Sequence, residues 1–459
     1  MGLTVLLLVT FMGVVNVFVV TAVAPAMQRD LHAAFGQVQL IMAGYAVAYA
    51  TGLVAGGRLG DLYGRKRLLL IGLAAFLLAS LAGSAAPNAS ALIAARLAQG
   101  LAAAAVLPQV LSIIQVVFAG GEREMAIGLY GVTVGLATIA GQLCGGLLLA
   151  AGGAVGWRLV FAANVPLGLL AAGAGIPILR ESRAAGPVAL DLAGAGLMGA
   201  GLLALLVPFL EGPVSGWGPW SGGCLAAAPL LLAAFVCHER RLALRGGSPL
   251  LPLRLFAESG FAIGMGAAAI YYAGNAGLFL VLAYYLQSGL GLSALAAGLT
   301  FAPSGVGYAV TSLAARQLLA LAGTWAPAAG ALVMLAALLG IAAMTLAAPG
   351  EWLALAPLLG LAGLGWGMVT NPLMITVLAR VRRIDAGAAA GALLTVAQAA
   401  GALGVAGMGA LFVALLGAGP QDPRVHLRPD LFSHAFAGGC VVLAGLATLI
   451  FALARRLPS

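Results

Sequence analysis

The sequence predicts an all-α polytopic membrane protein, on three observations. Hydrophobic residues fill 63% of its 459 positions, for a mean hydropathy of +1.10, well above the roughly 45–50% apolar content of soluble domains. They fall in continuous runs of about the 20 residues that carry a helix across a bilayer, and the stretches between runs are too short to fold as soluble domains. Charge is scarce, at 8%, and collects between the runs. Continuous runs also exclude a transmembrane β-barrel, whose strands alternate apolar and polar residues over about ten positions.

The first run, 3–27, has no Lys or Arg before Arg29; it lacks the basic leader of a signal peptide and reads as a span. The second, 39–58, leads into the charged stretch GGRLGDLYGRKR at 56–67, and the third is 68–86. The fourth, 91–118, is interrupted by Arg96; the fifth, 125–151, is rich in glycine; the sixth is 157–180. Spans seven and eight, 188–210 and 222–238, precede 258–287, 292–320, 325–347, 351–379, 386–416 and 432–454, for an expected total of fourteen.

Lys and Arg mark the cytoplasmic side of a membrane protein. Loops after even-numbered spans, with the C-terminal tail, hold seventeen of them, against four (Arg29, Arg158, Arg424 and Arg428) at the other side. Both termini are therefore expected in the cytoplasm. The net charge of +9 is a topology signal rather than a nucleic-acid footprint, because no basic patch is interleaved with aromatics. Cys144, Cys224, Cys237 and Cys440 lie in or beside apolar runs without CxxC spacing, and His32, His238, His426 and His434 show no ligand spacing. Neither a disulfide nor a metal site is expected.

Topology alone would accept any basic cluster at 56–67. Gly57, Asp61, Gly64, Arg65 and Lys66 instead follow G-x-x-x-D-x-x-G-R-K, a spacing that resembles the loop signature of the major facilitator superfamily. Gly64 permits a tight turn, Asp61 suits the N-terminus of a facing helix, and Arg65, Lys66 and Arg67 suit mobile acidic partners. The loop is expected to gate the cytoplasmic side, with Asp61 near the start of span thirteen and Arg380, Arg382 or Arg383 as partners.

Further stretches carry the same resemblance. Arg96 to Gly100 is similar to the family's R-x-x-Q-G motif, and GLATIAGQLCGG, Gly135 to Gly146, looks like the antiporter motif, with Gln142 where that motif usually carries Pro. Gly156-Trp157-Arg158 through Phe161, Asn164, Pro166 and Gly168 resembles the sixth-span signature of the fourteen-helix drug:proton antiporters, as do 249–261, 284–298 and 387–404. The resemblance implies the major facilitator fold: a six-helix bundle at 1–185, two linker helices at 186–248 and a second bundle at 249–459. It would pair span five with ten and span two with thirteen. The faces Gly131/Gly135 and Gly141/Gly145 suit close packing of span five, and Gly298, Pro303, Gly305 and Gly307 loosen span ten.

A charge inside a span costs about 2.5–3.5 kcal/mol on insertion scales and is functional by default. Arg96 is such a charge, whereas the thirteen acids fall in loops or at helix ends. Antiporters of the resembled type usually carry an Asp nine residues before a first-span Pro; counting back from Pro25 gives Asn16, which does not titrate. Glu258 and Asp385 are expected as helix N-caps. The candidates for substrate or coupling contacts are Asn16, Thr21, Tyr45, Arg96, Gln99, Gln109, Gln142, Tyr271, Tyr272, Asn275, Asn371 and Gln398. Arg96 is expected to draw anionic substrate groups rather than to serve as a strut.

The reading is a secondary exporter of amphipathic organic compounds, monomeric in a bacterial cytoplasmic membrane, coupled to protons and working by alternating access. An uptake permease of the same fold and a transport-deficient sensor are the rivals. The sequence has no G-x-x-x-x-G-K-[ST] run and no paired acids or nucleophile within spans; neither an enzyme, a cofactor nor a nucleic-acid partner is expected.

Overall fold

A chain in lipid must satisfy its backbone internally, and the apolar runs do so as helices. The computed structural model describes residues 1–183, 191–215, 217–247, 249–251, 253–379, 381, 386–426 and 428–457, and no strand occurs among them. The first group of helices is α1 Gly2–Asp30, α2 Phe35–Tyr63, α3 Arg65–Ser84, α4 Ala89–Val117, α5 Gly120–Gly152, α6 Gly156–Ala162 and α7 Asn164–Ile178. A hairpin follows, α8 Leu192–Ser215 and α9 Pro219–Leu244. The last group is α10 Ser259–Tyr284, α11 Ala294–Leu313, α12 Ala315–Ala322, α13 Ala326–Ala347, α14 Leu355–Ala379, α15 Ala386–Leu416, α16 Pro423–His426 and α17 Pro429–Ala454.

The starts of α4 and α11 are set by side chains that take up free N–H groups. Asn88 Oδ1 accepts from Ala91 N at 2.9 Å, and Ser293 Oγ from Ala296 N at 3.2 Å. Glu258 occupies the N-cap position of α10, but its side chain makes no capping bond, so the expectation for it holds in place only; Asp385, Arg380, Arg382 and Arg383 lie outside the described residues. The α2 helix bends by 48° between Leu53 and Ala55, flanked by Gly52 and Gly56, which press against Ala104 of α4; glycines at a close crossing are a common cause of a kink. With Gln142 in place of Pro, α5 runs unbroken for 33 residues.

Twelve helices are long and apolar enough to cross a membrane, thirteen with bent α2, among the described residues. The expected fourteen is not reached on these terms. Span ten, 292–320, forms α11 and α12 with a break at Ala314, and Thr300, Pro303, Ser304, Thr311 and its glycines dilute its hydropathy. Its packing is nevertheless that of a core helix, between α5 and α14.

The two groups meet through α5 on α11 and α2 on α15, the expected pairing, while α8 touches both α2 and α15. Apolar cores show how the groups are joined. One core contains the later half of α1 (Val19, Val23, Met27), the first half of α2 (Val38, Ile41), and Leu278, Val281, Tyr284, Phe301, Val405 and Phe436 from the second group. At the opposite end, where both termini lie, the cores separate. Val5, Leu6, Val9, Leu69, Leu73 and Val110 form one, and Leu255, Phe261, Met265, Leu373, Val377 and Leu457 another. The groups are thus fused at one end and distinct at the basic end.

Polar bonds reinforce the fused end. Gln39 Nε2 donates to Val405 O at 2.8 Å, Tyr284 Oη to Gln28 Oε1 at 2.7 Å, and Gln287 Nε2 to Ala22 O at 2.8 Å.

The glycine faces of α5 divide differently from expectation. A Cβ at Gly141 would lie 2.8 Å from Phe18 Cβ, and one at Gly145 2.7 Å from Ala22 Cβ, so both seat α5 on α1 within the first group. The cross-group contact uses Gly146, against Leu295, and Gly298, whose Cβ would lie 2.9 Å from Gln142 O. Gly131 and Gly135 face nothing within 4 Å. Gly141→Leu should therefore cost about 1–3 kcal/mol by overpacking and lower the melting temperature in detergent, while Gly131→Leu leaves it unchanged. Equal melting shifts for the two variants would contradict this assignment.

Candidate functional site

Helices α2 and α4 cross closely because Gly100 meets the Tyr45 carbonyl and Ala48. That approach brings Arg96, 1% exposed, against α2. Its Nε donates to Ile41 O and its Nη1 to Gln99 Oε1, both at 3.0 Å, and its Cζ lies 4.2 Å from the centre of the Tyr45 ring. Gln99 Nε2 donates to Ser80 Oγ at 2.7 Å. Asn164 Nδ2 lies 3.5 Å from the same oxygen and donates to Asn16 Oδ1 at 3.0 Å. The chain of bonds runs through α4, α2, α3, α7 and α1.

Magnitudes favour this arrangement. Hydrogen bonds to charged groups contribute about 1.5–3 kcal/mol each, and a desolvated cation–π contact about 2, enough to offset the insertion cost of one arginine. The geometry differs from the sequence reading in two respects. Arg96 is satisfied by Gln99 and the Ile41 carbonyl with no anionic group needed, and its guanidinium is enclosed rather than presented to a cavity; Asn16, placed among the coupling candidates, is bonded by Asn164 instead. Asn16 Nδ2 and the Tyr45 hydroxyl are buried without a partner.

The remaining candidates spread over several places. Thr21 Oγ1 bonds its own helix at Val17 O, 3.4 Å away, and Gln109 Nε2 reaches Gly56 O at 2.8 Å. Gln142 is 3% exposed, and both its amide atoms lack partners. Asn371 Nδ2 donates to Ser312 Oγ at 2.8 Å, tying α14 to α11; Gln398 is half-buried on α15.

Tyr271 and Asn275 line a narrow cleft with Met334 and Trp366. Tyr271 also lines a second narrow cleft with Tyr272, Thr370 and Leu393. Their rings meet edge to face at 5.1 Å. Tyr130 of α5 packs on the core that holds Tyr45 and Tyr49, and Tyr272 and Tyr308 pack on the core that holds Tyr271. These tyrosines make a polar band within the apolar cores of the two groups. Sequence reasoning missed Tyr49, Tyr130 and Tyr308; the signal was there in the four-residue spacing of Tyr45 and Tyr49, which puts both on one helical face.

In the charged loop, where the expected partners Arg380, Arg382 and Arg383 lie outside the described residues, Asp61 is held within its own turn. Its Oδ1 accepts from Arg65 Nε at 3.1 Å and Nη2 at 2.7 Å across the turn at Gly64, where φ is 108°. The acid at a helix N-terminus is Glu181, which sequence reasoning left unassigned. Its two oxygens accept from Lys66 N and Arg67 N, each at 3.1 Å, at the positive start of α3. Lys66 Nζ donates to Ile176 O at 2.6 Å and Arg65 N to Ser182 O at 2.9 Å. Gly64 is required twice over, because a Cβ there would also lie 2.6 Å from the Glu181 carboxylate. Gly57 has ordinary contact with Pro108 at 3.8 Å. The basic turn at 64–67 is tied to the end of the first group, while Arg58 of the same loop donates to Pro249 O at the start of the second.

The sixth-span signature has a comparable explanation at the fused end. Trp157 Nε1 donates to Asp30 Oδ2 at 2.9 Å, and Arg158 pairs with the same oxygen at 3.3 Å while stacking 4.3 Å over the indole.

Known proteins resemble the chain over most of its length. The chain is 36% identical over 440 residues to the probable actinorhodin transporter of Streptomyces coelicolor, covering 94% of this chain and 76% of that one. It is 36% identical to the puromycin resistance protein pur8 of Streptomyces alboniger, covering 97% and 90%, and 34% identical to the cephamycin export protein CmcT of Amycolatopsis lactamdurans, covering 98% and 92%. Among solved structures, a bacterial homologue of the human lysosomal transporter Spinster, inward-facing and unoccupied, matches with a TM-score of 0.72 at 17% identity over 99% of this chain and 96% of that one. The model of the Major Facilitator Superfamily matches residues 6–405, and with two helical groups, a linker hairpin and the glycine-turn loop all in place, the chain belongs to that superfamily.

Proposed function

We propose that the chain exports amphipathic organic compounds of antibiotic size by alternating access between two bundles, 1–185 and 249–459, joined by the linker pair at 186–248. The observation that carries this reading is the division of the cores: one apolar core spans both bundles at one end, and two separate cores occupy the basic end. That is the packing of a molecule closed at one face, in which two bodies exchange contacts around a central band. The names of the relatives, which concern antibiotic export and resistance, support organic compounds as cargo, and the residues lining the narrow tyrosine clefts, mostly apolar with few polar anchors, are of the kind such cargo contacts once a cavity opens between the bundles.

In this reading the basic end faces the cytoplasm, both termini included, and the protein works as a monomer in a bacterial cytoplasmic membrane. Protons drive export, but not through position 16, where Asn16 is an amide held by Asn164. The experiment is a susceptibility panel in an efflux-deficient bacterial host. Expression should raise the inhibitory concentration of at least one of puromycin, a cephamycin or actinorhodin several-fold, with less compound accumulating in cells. Raised accumulation would favour uptake, and binding without flux a sensor.

Arg96 acts here as a strut of the first bundle rather than a ligand for anions. Arg96→Gln should lower the melting temperature and reduce export of neutral, cationic and anionic compounds alike. A selective loss of anionic compounds at unchanged stability would restore the binding role.

The loop yields a comparison as well. Glu181→Ala strips an acceptor from two helix-start N–H groups and should cost about 1 kcal/mol. Asp61→Asn weakens a partly exposed pair contributing less than about 1 kcal/mol. Melting curves should rank Glu181→Ala as the less stable variant.

A further inference from the structure

The fold assembles one cluster of titratable side chains that lies apart from the central band. Asp191 stands at the start of α8, where its Oδ1 accepts from Gly194 N and meets His238 Nε2, both at 2.8 Å. Glu239, 0% exposed near the end of α9, accepts from Leu251 N through Oε2 at 2.7 Å. The other oxygens, Asp191 Oδ2 and Glu239 Oε1, are both buried and both lack a donor. They converge over Gly194, where a Cβ would fall 2.7 Å from Glu239 Oε1 and closer still to Asp191 Oδ2. One ligand-type atom each from Asp191, His238 and Glu239 lies within 4.8 Å of the others, although the spacing of these residues in the sequence suggested no such set.

Two buried carboxylates whose free oxygens face each other do not both stay ionised without something positive between them. The charges around them decide what that is. From α2 comes Arg58, which donates to Pro249 O and is felt electrostatically by Glu239 and Asp191, with Asp61 one turn further on. From α9 come the exposed Arg240 and Arg241, and from the turn 253–257 the exposed Arg254. Segment 249–251 contributes backbone only, and the described part of α15, which packs on α8, carries no titratable side chain. With Arg58 positive and both acids ionised, one proton makes the buried group neutral. A divalent cation would leave it with a surplus positive charge, which is costly in a low-dielectric site.

We propose that Asp191, Glu239 and His238 form a binding site for one exchangeable proton, which clasps the basic ends of the linker helices to the segment that leads into the second bundle. In the protonated form Glu239 Oε1–H donates to Asp191 Oδ2, closing α8 on α9 while Glu239 Oε2 holds Leu251 N. On deprotonation the proton leaves by way of His238, whose side chain is 32% exposed, and the two carboxylates repel. The clasp is therefore present at low pH and lost as pH rises. Because α8 packs on both α2 and α15, its state bears on the contact between the bundles.

The test is hydrogen exchange of the full-length protein in lipid nanodiscs across a pH series, corrected for the intrinsic rate, reading amides at 239–251. Wild type should lose protection by about tenfold between acid and alkaline pH, the factor that accompanies one pK unit of proton linkage. Glu239→Gln places an amide donor against Asp191 Oδ2 and an acceptor against Leu251 N, so it should stay protected at every pH; Asp191→Asn should flatten the profile in the same way. An infrared band of a protonated carboxylic acid should titrate in wild type and be missing from Glu239→Gln. A pH-independent wild type, or a Glu239→Gln profile like that of wild type, overturns the proposal. Protection that follows added Zn²⁺ at fixed pH, and not pH itself, also overturns it and assigns the site to a metal.

Discussion

Burying one arginine in an otherwise apolar bundle constrains much of the first half of this protein. Arg96 needs acceptors at fixed positions, and the Ile41 carbonyl and Gln99 amide supply them only if α2 and α4 stay in close contact. Gly52, Gly56 and Gly100 make that contact possible. Gln99 in turn orients Ser80, and Asn164 orients Asn16, so that bonds originating at one charge fix five helices against each other. In lipid, where apolar side chains gain little by leaving the solvent, such polar links and close small-residue packing are the main sources of helix specificity.

A rigid first bundle gives the mid-membrane division of labour its meaning. Contacts within the bundle are polar and buried, whereas those across the boundary with the second bundle are few hydrogen bonds at one end, a glycine crossing between α5 and α11, and a shared apolar core. Small-residue crossings and single bonds to backbone carbonyls are contacts that break and re-form without leaving an unpaired charge in hydrocarbon. The turn at 64–67 belongs to the rigid side of this division, held by Glu181 and the backbone at the end of α7, whereas Arg58 reaches across to Pro249 O. The linker pair sits across the boundary, its α8 against one helix from each bundle.

Much of this was legible in the sequence because hydropathy, Lys and Arg placement and glycine spacing are local signals. The helices followed from them, while the pairing of α5 with α11 and α2 with α15, and the joint reading of Arg96 and Gln99, came from the resemblance of the motifs to the superfamily. What was not legible depended on which faces meet. Gly141 and Gly145 satisfy the small-residue pattern equally well for α1 or α11, and only three-dimensional packing selects α1. Asp61 and Glu181 are both acids beside basic residues, yet Glu181 alone reaches the start of α3, from 115 residues away in sequence. The cluster of Asp191, His238 and Glu239 was invisible for the same reason: its members come from opposite ends of a helical hairpin. Span ten falls short in hydropathy because small and polar residues on its α5- and α14-facing sides (Thr300, Ser304, Gly305, Gly307, Thr311) are buried, while only a stripe of Leu299, Val306, Val310 and Leu313 is exposed.

The central claim is that the first bundle moves as one body while the boundary between bundles rearranges. Double electron–electron resonance on spin-labelled protein in liposomes tests it most directly, with one label pair at Ala34 and Pro87 inside the first bundle and another at Ala34 and Ser293 across the boundary. The account predicts a single narrow distance for the first pair under all conditions, and two populations for the second whose ratio shifts when puromycin is added. A first pair that splits into two populations in step with the second would contradict it.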